Sequence, residues 1–145
     1  IGETIHAINR GENILIVFMN NAVYGMTSGQ MAPTTLPGMW SSTTPDGRDP
    51  AFYGEPIRVA ELVSQLPGAY YVTRQAVNSS KSVRKTKKAL EKALRLQEKK
   101  KGTCLVEIIA NCPSNWKMTP VQCNEFIDEK MVGTFPLGDI KVPKE

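Results

Sequence analysis

Six consecutive apolar residues, Ile14 to Met19, run straight into Asn20-Asn21. The next stretch, Ala-Val-Tyr-Gly-Met-Thr-Ser-Gly-Gln, is rich in hydroxyls, amides and glycine and leads to Pro33-Thr34-Thr35. An apolar run this short, closed by turn formers, predicts a strand buried on both faces of a parallel sheet. Open α/β sheets bind their ligands just beyond the carboxyl ends of the strands. The chain therefore sets carboxamides, hydroxyls and glycines where a phosphate or metal would sit. Asn and Thr offer neutral oxygens to a hard cation, and Gly-rich backbone offers N–H groups to an anion.

The rest of the pattern agrees with such a sheet. Ile5 and Ile8 before Gly11 read as the end of a helix. Residues 20 to 55 read as a long functional loop, of the kind that forms sites or lids. Pro56 opens a helix running to Leu66, and Pro67-Gly68 ends it. A strand follows over 70–77. Asn78-Ser79-Ser80 caps a helix that runs to about Lys101. Leu105 to Ala110 is a second buried strand, followed by a loop at Cys112–Trp116. Thr119 caps a helix with Pro120 at its first position and Gln122 three residues after the cap. Residues 133–145 read as an extended tail leaning on the domain or on a partner. Strands and helices that alternate in this way predict an α/β fold, a parallel sheet with flanking helices, in a single domain spanning 1–145.

Composition removes several classes of function. With 145 residues the chain can bury one core. No apolar stretch approaches the roughly 20 residues that span a bilayer, so a membrane role is not expected. Ile1-Gly2-Glu3 carries no initiator Met or leader pattern, as in a piece of a longer polypeptide. Cys104, Cys112 and Cys123 are few, odd in number and lack a Cys-x-x-Cys, which speaks against a disulfide framework and a self-contained zinc site. A reducing, cytoplasmic setting follows. Cys104 and Cys123 read as core residues. Cys112, at a strand end, reads as packing or as a reactive or cluster-ligating thiol. The single histidine, His6, reads as a partly buried helix residue.

Residues 81–101 hold ten Lys and Arg against Glu91 and Glu98, a net +8 in a chain whose total is +4, so the remainder is −4. The plainest reading is the solvated face of an amphipathic helix. An acidic protein partner is the second reading. Nucleic acid is a distant third, since no aromatic residues are interleaved and no nucleic-acid motif accompanies the charge.

The loop is more specific. Asn20, Asn21, Tyr24 to Thr27, Gly29, Gln30 and Pro33 to Thr35 match a pattern Asn-Asn-x-x-Tyr-Gly-Met-Thr-Gly-Gly-Gln-x-x-Pro-Thr-Thr. His6-Ala7, Asn9 to Asn13, Pro37-Gly38, Gly47-Arg48-Asp49, Pro56 to Val59, Cys112-Pro113, Asn115-Trp116, Met118 to Pro120 and Pro136 to Gly138 extend the likeness over essentially the whole chain. In these residues the sequence resembles the β subunits of 2-oxoacid:ferredoxin oxidoreductases, on the branch acting on 2-oxoglutarate or branched-chain 2-oxoacids.

The resemblance implies the carboxyl-terminal part of a thiamine diphosphate-binding fold, its amino-terminal part missing. It implies thiamine diphosphate and Mg²⁺ as cofactors. Asn21 supplies an amide oxygen and Val23 a carbonyl to the metal, while Asn20, Tyr24, Gly25, Met26 and Thr27 line the diphosphate and thiazolium. The implied reaction is oxidative decarboxylation of a 2-oxoacid to acyl-CoA, with electrons passing to ferredoxin. The implied partners are a companion α subunit, with γ and δ subunits in some assemblies, besides ferredoxin, the 2-oxoacid and coenzyme A. The alternative function is a non-catalytic α/β interaction subunit that docks an acidic protein through the basic helix.

Three departures qualify the resemblance. The family's Gly-Asp-Gly element is absent, as is its amino-terminal Cys-x-x-Cys, so the chain alone holds half a cofactor site and is expected to be inactive. Ala60 stands where many relatives carry a cluster-ligating cysteine, and a [4Fe–4S] cluster normally takes four thiolates, so either this subunit lacks the cluster, which would then belong to the full enzyme, or another residue replaces the ligand. Ser28 stands where glycine is usual.

Overall fold

The computed structural model describes residues 1–143. The chain enters as helix α1 (Gly2–Asn9) and strand β1 (Leu15–Asn20). A short antiparallel pair, β2 (Val23–Tyr24) and β3 (Gln30–Met31), brackets a 3-10 turn at Gly25–Thr27. Then come α2 (Pro50–Tyr53), α3 (Val59–Ser64), β4 (Ala69–Ala76), α4 (Ser80–Gln97) and β5 (Thr103–Ile109). A single turn, α5 (Pro113–Trp116), leads to α6 (Pro120–Phe126), a π-helical stretch at Ile127–Met131, α7 (Val132–Thr134) and β6 (Gly138–Lys141). The sheet order is β1-β5-β4-β6. The first three strands are mutually parallel, and β6 adds antiparallel to β4. The expected α/β sheet with flanking helices is the observed one.

Helix α4 forms as its sequence predicts. The Ser79 side chain caps the Ser82 N–H, and Thr86, Ala89 and Ala93 turn a small-residue stripe onto the sheet. Thr119 and Gln122 form a full capping box at α6, with Pro120 at the first position. On one face of the sheet α4 packs on Tyr71, Cys104, Val106 and Ile108. On the other, α1 and α3 pack Ile8, Val59, Ala60 and Val63 against Val72 and Leu105. A third core gathers at the carboxyl ends of the strands, where Trp116, Cys123, Ile127, Met131 and Phe135 close over Ile109.

Five expectations change. Strand β1 is an edge strand, with Val17 at 47% and Met19 at 55% exposure, while β5 is buried along its whole length. An apolar run marks what a strand is able to bury, but the tertiary arrangement decides whether anything covers it. Helix α3 starts at Val59 rather than at Pro56, because Arg58 takes a non-helical conformation, φ −86° and ψ +82°; before it the Ile57 N–H donates to the Pro33 carbonyl. Cys112–Trp116 is one helical turn rather than a loop. His6 is exposed, on the side of α1 opposite the buried Ile8. Of the segment expected as an extended tail, 133–134 finish α7 and 138–141 form β6, whereas 144 and 145 lie outside the described residues.

A charged network crosses the interior. Arg74 on β4 and Glu107 on β5 are in register and fully buried, with Arg74 Nε donating to Glu107 at 2.8 Å. The Arg74 guanidinium also pairs with Glu61 of α3 and donates to the Pro136 carbonyl at 3.1 Å. Arg58 bonds Glu61 from the solvent side. Burial works against ionisation of Glu61, yet hydrogen bonds from Arg74 and Arg58 and the Arg74 charge hold its carboxyl at about 2, below the ordinary 4.5. A pKa lowered by folding contributes stability above the unfolded value and loses it as pH falls toward the folded one. Unfolding midpoints should therefore drop steeply between pH 4.5 and 2, and Glu61→Gln should flatten that limb and lower stability at neutral pH.

Candidate functional site

The candidate site is built at the carboxyl end of β1. Asn20 ends the strand and is 1% exposed. Its Nδ2 donates to Glu107 Oε1 at 2.8 Å, and its Oδ1 accepts the Ala22 N–H at 3.1 Å. Ala22, also buried, adopts the left-handed conformation with φ +59°. Its carbonyl accepts the Thr35 hydroxyl at 2.5 Å, and that hydroxyl in turn accepts the Ala32 N–H. This turn projects Asn21 away from the sheet.

Asn21 is half-buried and is tied down by its main chain. The Trp116 indole N–H donates to its carbonyl at 3.0 Å, and its Oδ1 accepts the Val23 N–H at 3.3 Å. Asn115 Nδ2 lies 3.2 Å from the Gly25 carbonyl and 3.1 Å from Cys112 Sγ, donating to both. A Cβ at Gly25 would lie 3.2 Å from Cys112 Sγ, 3.3 Å from Asn115 Nδ2 and 3.4 Å from Asn21 Nδ2, so a side chain there would crowd this cradle. Tyr24, Met26 and Thr27 stand exposed on the loop, Met26 completely so, and the Thr27 hydroxyl donates to Gln30 Oε1 at 2.6 Å. A groove of about 500 Å³ runs from the uncovered face of β1 to this loop, with Phe18, Asn21, Tyr24 and Thr34 among its walls.

The structure thus brings Asn21, Val23 and Tyr24 together at one groove end, with Gly25 next in the chain facing Cys112, Asn115 and Asn21. Asn20 has both ends of its amide turned inward. Ser28 and Gly29 are consecutive left-handed residues, with φ +87° and +81°. Left-handed backbone strains any residue with a Cβ, and Ser28 is exposed with no offsetting contact, so Ser28→Gly should raise stability by roughly 0.5–1 kcal/mol in denaturant unfolding.

The donor set fits a metal-bound diphosphate in part. Neutral oxygens suit a hard cation, but among the described residues no cluster of three or more His, Cys, Asp or Glu could hold a metal ion. Cys104 is buried in the core under α4, whereas Cys123 is buried in the core at the strand ends, against which Cys112 packs from the cradle; none forms a disulfide. Burial pushes both the Cys104 and Cys123 thiols up. Ala60 packs in the α3 core, fully buried.

Arg48, Arg74 and Glu107 carry more of this architecture than the sequence suggested. Arg48 is buried and donates to the carbonyls of Ala32, Pro33, Thr35, Tyr53, Gly54 and Glu55, which makes the expected long loop a bonded unit. A lone Glu in the most apolar strand, with an Arg in the neighbouring one, was the readable sign of the buried pair.

A family model described as "Thiamine pyrophosphate enzyme, C-terminal TPP binding domain" matches residues 1–108. The chain belongs to this family. As a TPP-binding domain it is 41% identical over 141 residues to the ketoisovalerate oxidoreductase subunit VorA of Methanothermobacter marburgensis, a match covering 97% of this chain and 30% of that protein. It is 31% identical over 125 residues to the 2-oxoglutarate synthase subunit KorB of Archaeoglobus fulgidus, covering 86% of this chain and 42% of the relative. The domain thus spans less than half the length of these relatives. Among solved structures, a 2-oxoglutarate:ferredoxin oxidoreductase from Magnetococcus marinus, with 2-oxoglutarate, coenzyme A and succinyl-CoA bound, superposes with a TM-score of 0.66 at 21% identity. That match covers 99% of the domain and 52% of the neighbour, and it establishes the shared fold.

Proposed function

We propose that this domain supplies the neutral half of a Mg²⁺–thiamine diphosphate site in a multi-subunit 2-oxoacid:ferredoxin oxidoreductase. The observation that carries the reading is the Asn20–Gly25 turn. It lies at the carboxyl end of a parallel strand, inside the segment matched by the TPP-binding family, and sets the Asn21 amide beside an open glycine cradle.

Asn21 Oδ1 and the Val23 carbonyl would hold the metal. Gly25 admits the diphosphate closely, and Tyr24, Met26 and Thr27 flank it from the exposed side of the loop. The acidic ligand would come from sequence outside these 145 residues. When bound, thiamine diphosphate supplies a carbanion and an electron sink for decarboxylating a 2-oxoacid. The residues of this domain hold and orient it. The overall reaction is oxidative decarboxylation to acyl-CoA with two electrons delivered to ferredoxin. Any [4Fe–4S] cluster carrying those electrons would draw on cysteines outside this domain, since such a cluster takes four thiolates and the chain has three cysteines.

A branched-chain 2-oxoacid is the substrate class best supported, since identity to the ketoisovalerate enzyme exceeds that to the 2-oxoglutarate enzyme. A cytoplasmic setting is part of this proposal. No helix among the described residues is long and apolar enough to cross a membrane. On this reading 133–143 goes with the single domain, a placement supported by the pairing of β6 with β4. The basic residues of α4 form the outer face of a helix whose inner stripe is packed on the sheet, and the interaction-subunit reading gives way to the enzymatic one.

Binding of thiamine diphosphate by the assembled protein, with and without Mg²⁺, tests this reading. Mg²⁺-dependent binding that Asn21→Ala removes is the expected result. Binding that ignores both the metal and Asn21 overturns it.

A further inference from the structure

We infer that Glu107 and Asn20 act as positioning residues, a buried clamp that holds Ala22 in its left-handed conformation and thereby aims Asn21 at the cofactor. The inference rests on the proposed Mg²⁺–thiamine diphosphate site for what is aimed, and on the geometry alone for the clamp.

Three observations carry it. First, Ala22 is strained. A residue with a Cβ avoids φ +59°, and such conformations persist only where surrounding contacts over-determine them. Here the Ala22 N–H is taken by Asn20 Oδ1 and its carbonyl by the Thr35 hydroxyl, so both polar groups of the strained residue are tied. Second, Asn20 is able to hold that N–H only in one amide orientation. Its Nδ2 must face Glu107, which as a carboxylate accepts and never donates. Glu107 therefore fixes the flip of the amide as well as its place. Third, Glu107 is itself immobilised. It is 0% exposed, and its second oxygen accepts from Arg74 Nε, whose guanidinium is anchored to Glu61 and the Pro136 carbonyl.

Strand register supplies the alignment. Phe18, Glu107 and Arg74 lie in one row across β1, β5 and β4. Asn20, two residues beyond Phe18, shares that face. A buried ion pair of this kind adds little net stability against an apolar pair of equal volume. It does supply directional specificity, which is what the end of β1 needs.

The test relocates the single negative charge. Asn20→Asp sets two carboxylates against each other at the present 2.8 Å contact. Asn20→Asp with Glu107→Gln restores a donor opposite an acceptor with polarity reversed, and the residue 20 carboxylate still accepts the Ala22 N–H. The assembled protein is read out twice: by hydrogen exchange of the Ala22 and Val23 amides without cofactor, and by the Kd for thiamine diphosphate in Mg²⁺. Asn20→Asp should speed exchange and weaken binding by about tenfold or more, the scale for losing one buried hydrogen bond, and the double variant should recover most of both. Exchange in Asn20→Asp that matches wild type overturns the clamp, as does a double variant no better than the single. If Asn20→Asp does not fold, the double variant decides: wild-type exchange supports the clamp and failure to fold overturns it. If wild type binds no thiamine diphosphate, the cofactor reading falls, and the exchange measurements still judge the clamp on their own.

Discussion

Asn21→Ala should abolish Mg²⁺-dependent binding of thiamine diphosphate while leaving the fold intact. The side chain is half-buried, and its one intramolecular hydrogen bond, from the Val23 N–H, is long at 3.3 Å. Losing that bond exposes the amide to solvent at small cost. The position of residue 21 is set instead by its main chain, through the Trp116 indole, and by Ala22. The metal would lose an oxygen ligand outright. Disturbing an outer partner of a metal ligand typically weakens metal binding 10- to 100-fold, so deleting the ligand should weaken binding by more than about 100-fold. Asn21→Asp should retain binding, because the carboxylate keeps an oxygen in place. Calorimetric titration of the assembled enzyme with and without Mg²⁺ reads both variants. Undiminished affinity in Asn21→Ala would remove Asn21 from the site.

Arg48→Ala should be the most destabilising substitution in the loop region. Its guanidinium gathers six carbonyls, three from 32–35 and three from 53–55, at 2.9 to 3.3 Å. These two stretches have no strand pairing to hold them, so Arg48 stands in for a ladder. The buried carbonyls of Ala32 and Thr35, left without this donor, carry a desolvation penalty, and hydrogen bonds from a charged donor are the stronger kind. A loss on the order of 3–5 kcal/mol follows. Arg48→Lys should recover less than half, since an ammonium on a flexible stem cannot reach both arms of the fork at once. Because Thr35 holds the Ala22 carbonyl, loosening 32–35 should also weaken cofactor binding. Urea unfolding and limited proteolysis over 36–55 measure the effect. Wild-type protease resistance in Arg48→Ala would refute it.

The relation of sequence to structure differs from element to element. Helices α4 and α6 were legible because their determinants are local: Ser79 and Thr119 cap their own first turns, and apolar positions recur at the helical period. The strands were legible as apolar runs, and the alternation of elements dictated a parallel sheet. Burial was less so. The run 14–19 looked like a central strand and became an edge, because the position of a strand in the sheet depends on partners distant in sequence. Helix α3 began late because Arg58 leaves the helical region, in a segment whose Ile57 N–H is tied to Pro33, more than twenty residues earlier.

The candidate site divides along the same line. Asn20-Asn21 at a strand end, and the glycines after them, announced the loop's chemistry in the sequence alone. Local spacing could not say which amide points outward. That was decided by Glu107, 87 residues from Asn20, and by Arg74 behind it, through a buried charge pair that parallel strand pairing brings into register. Residue types and short-range geometry are properties of the chain. The direction of a side chain at a strained turn is a property of the packed interior, where an unpaired buried polar group is too costly to tolerate and each amide has one orientation available.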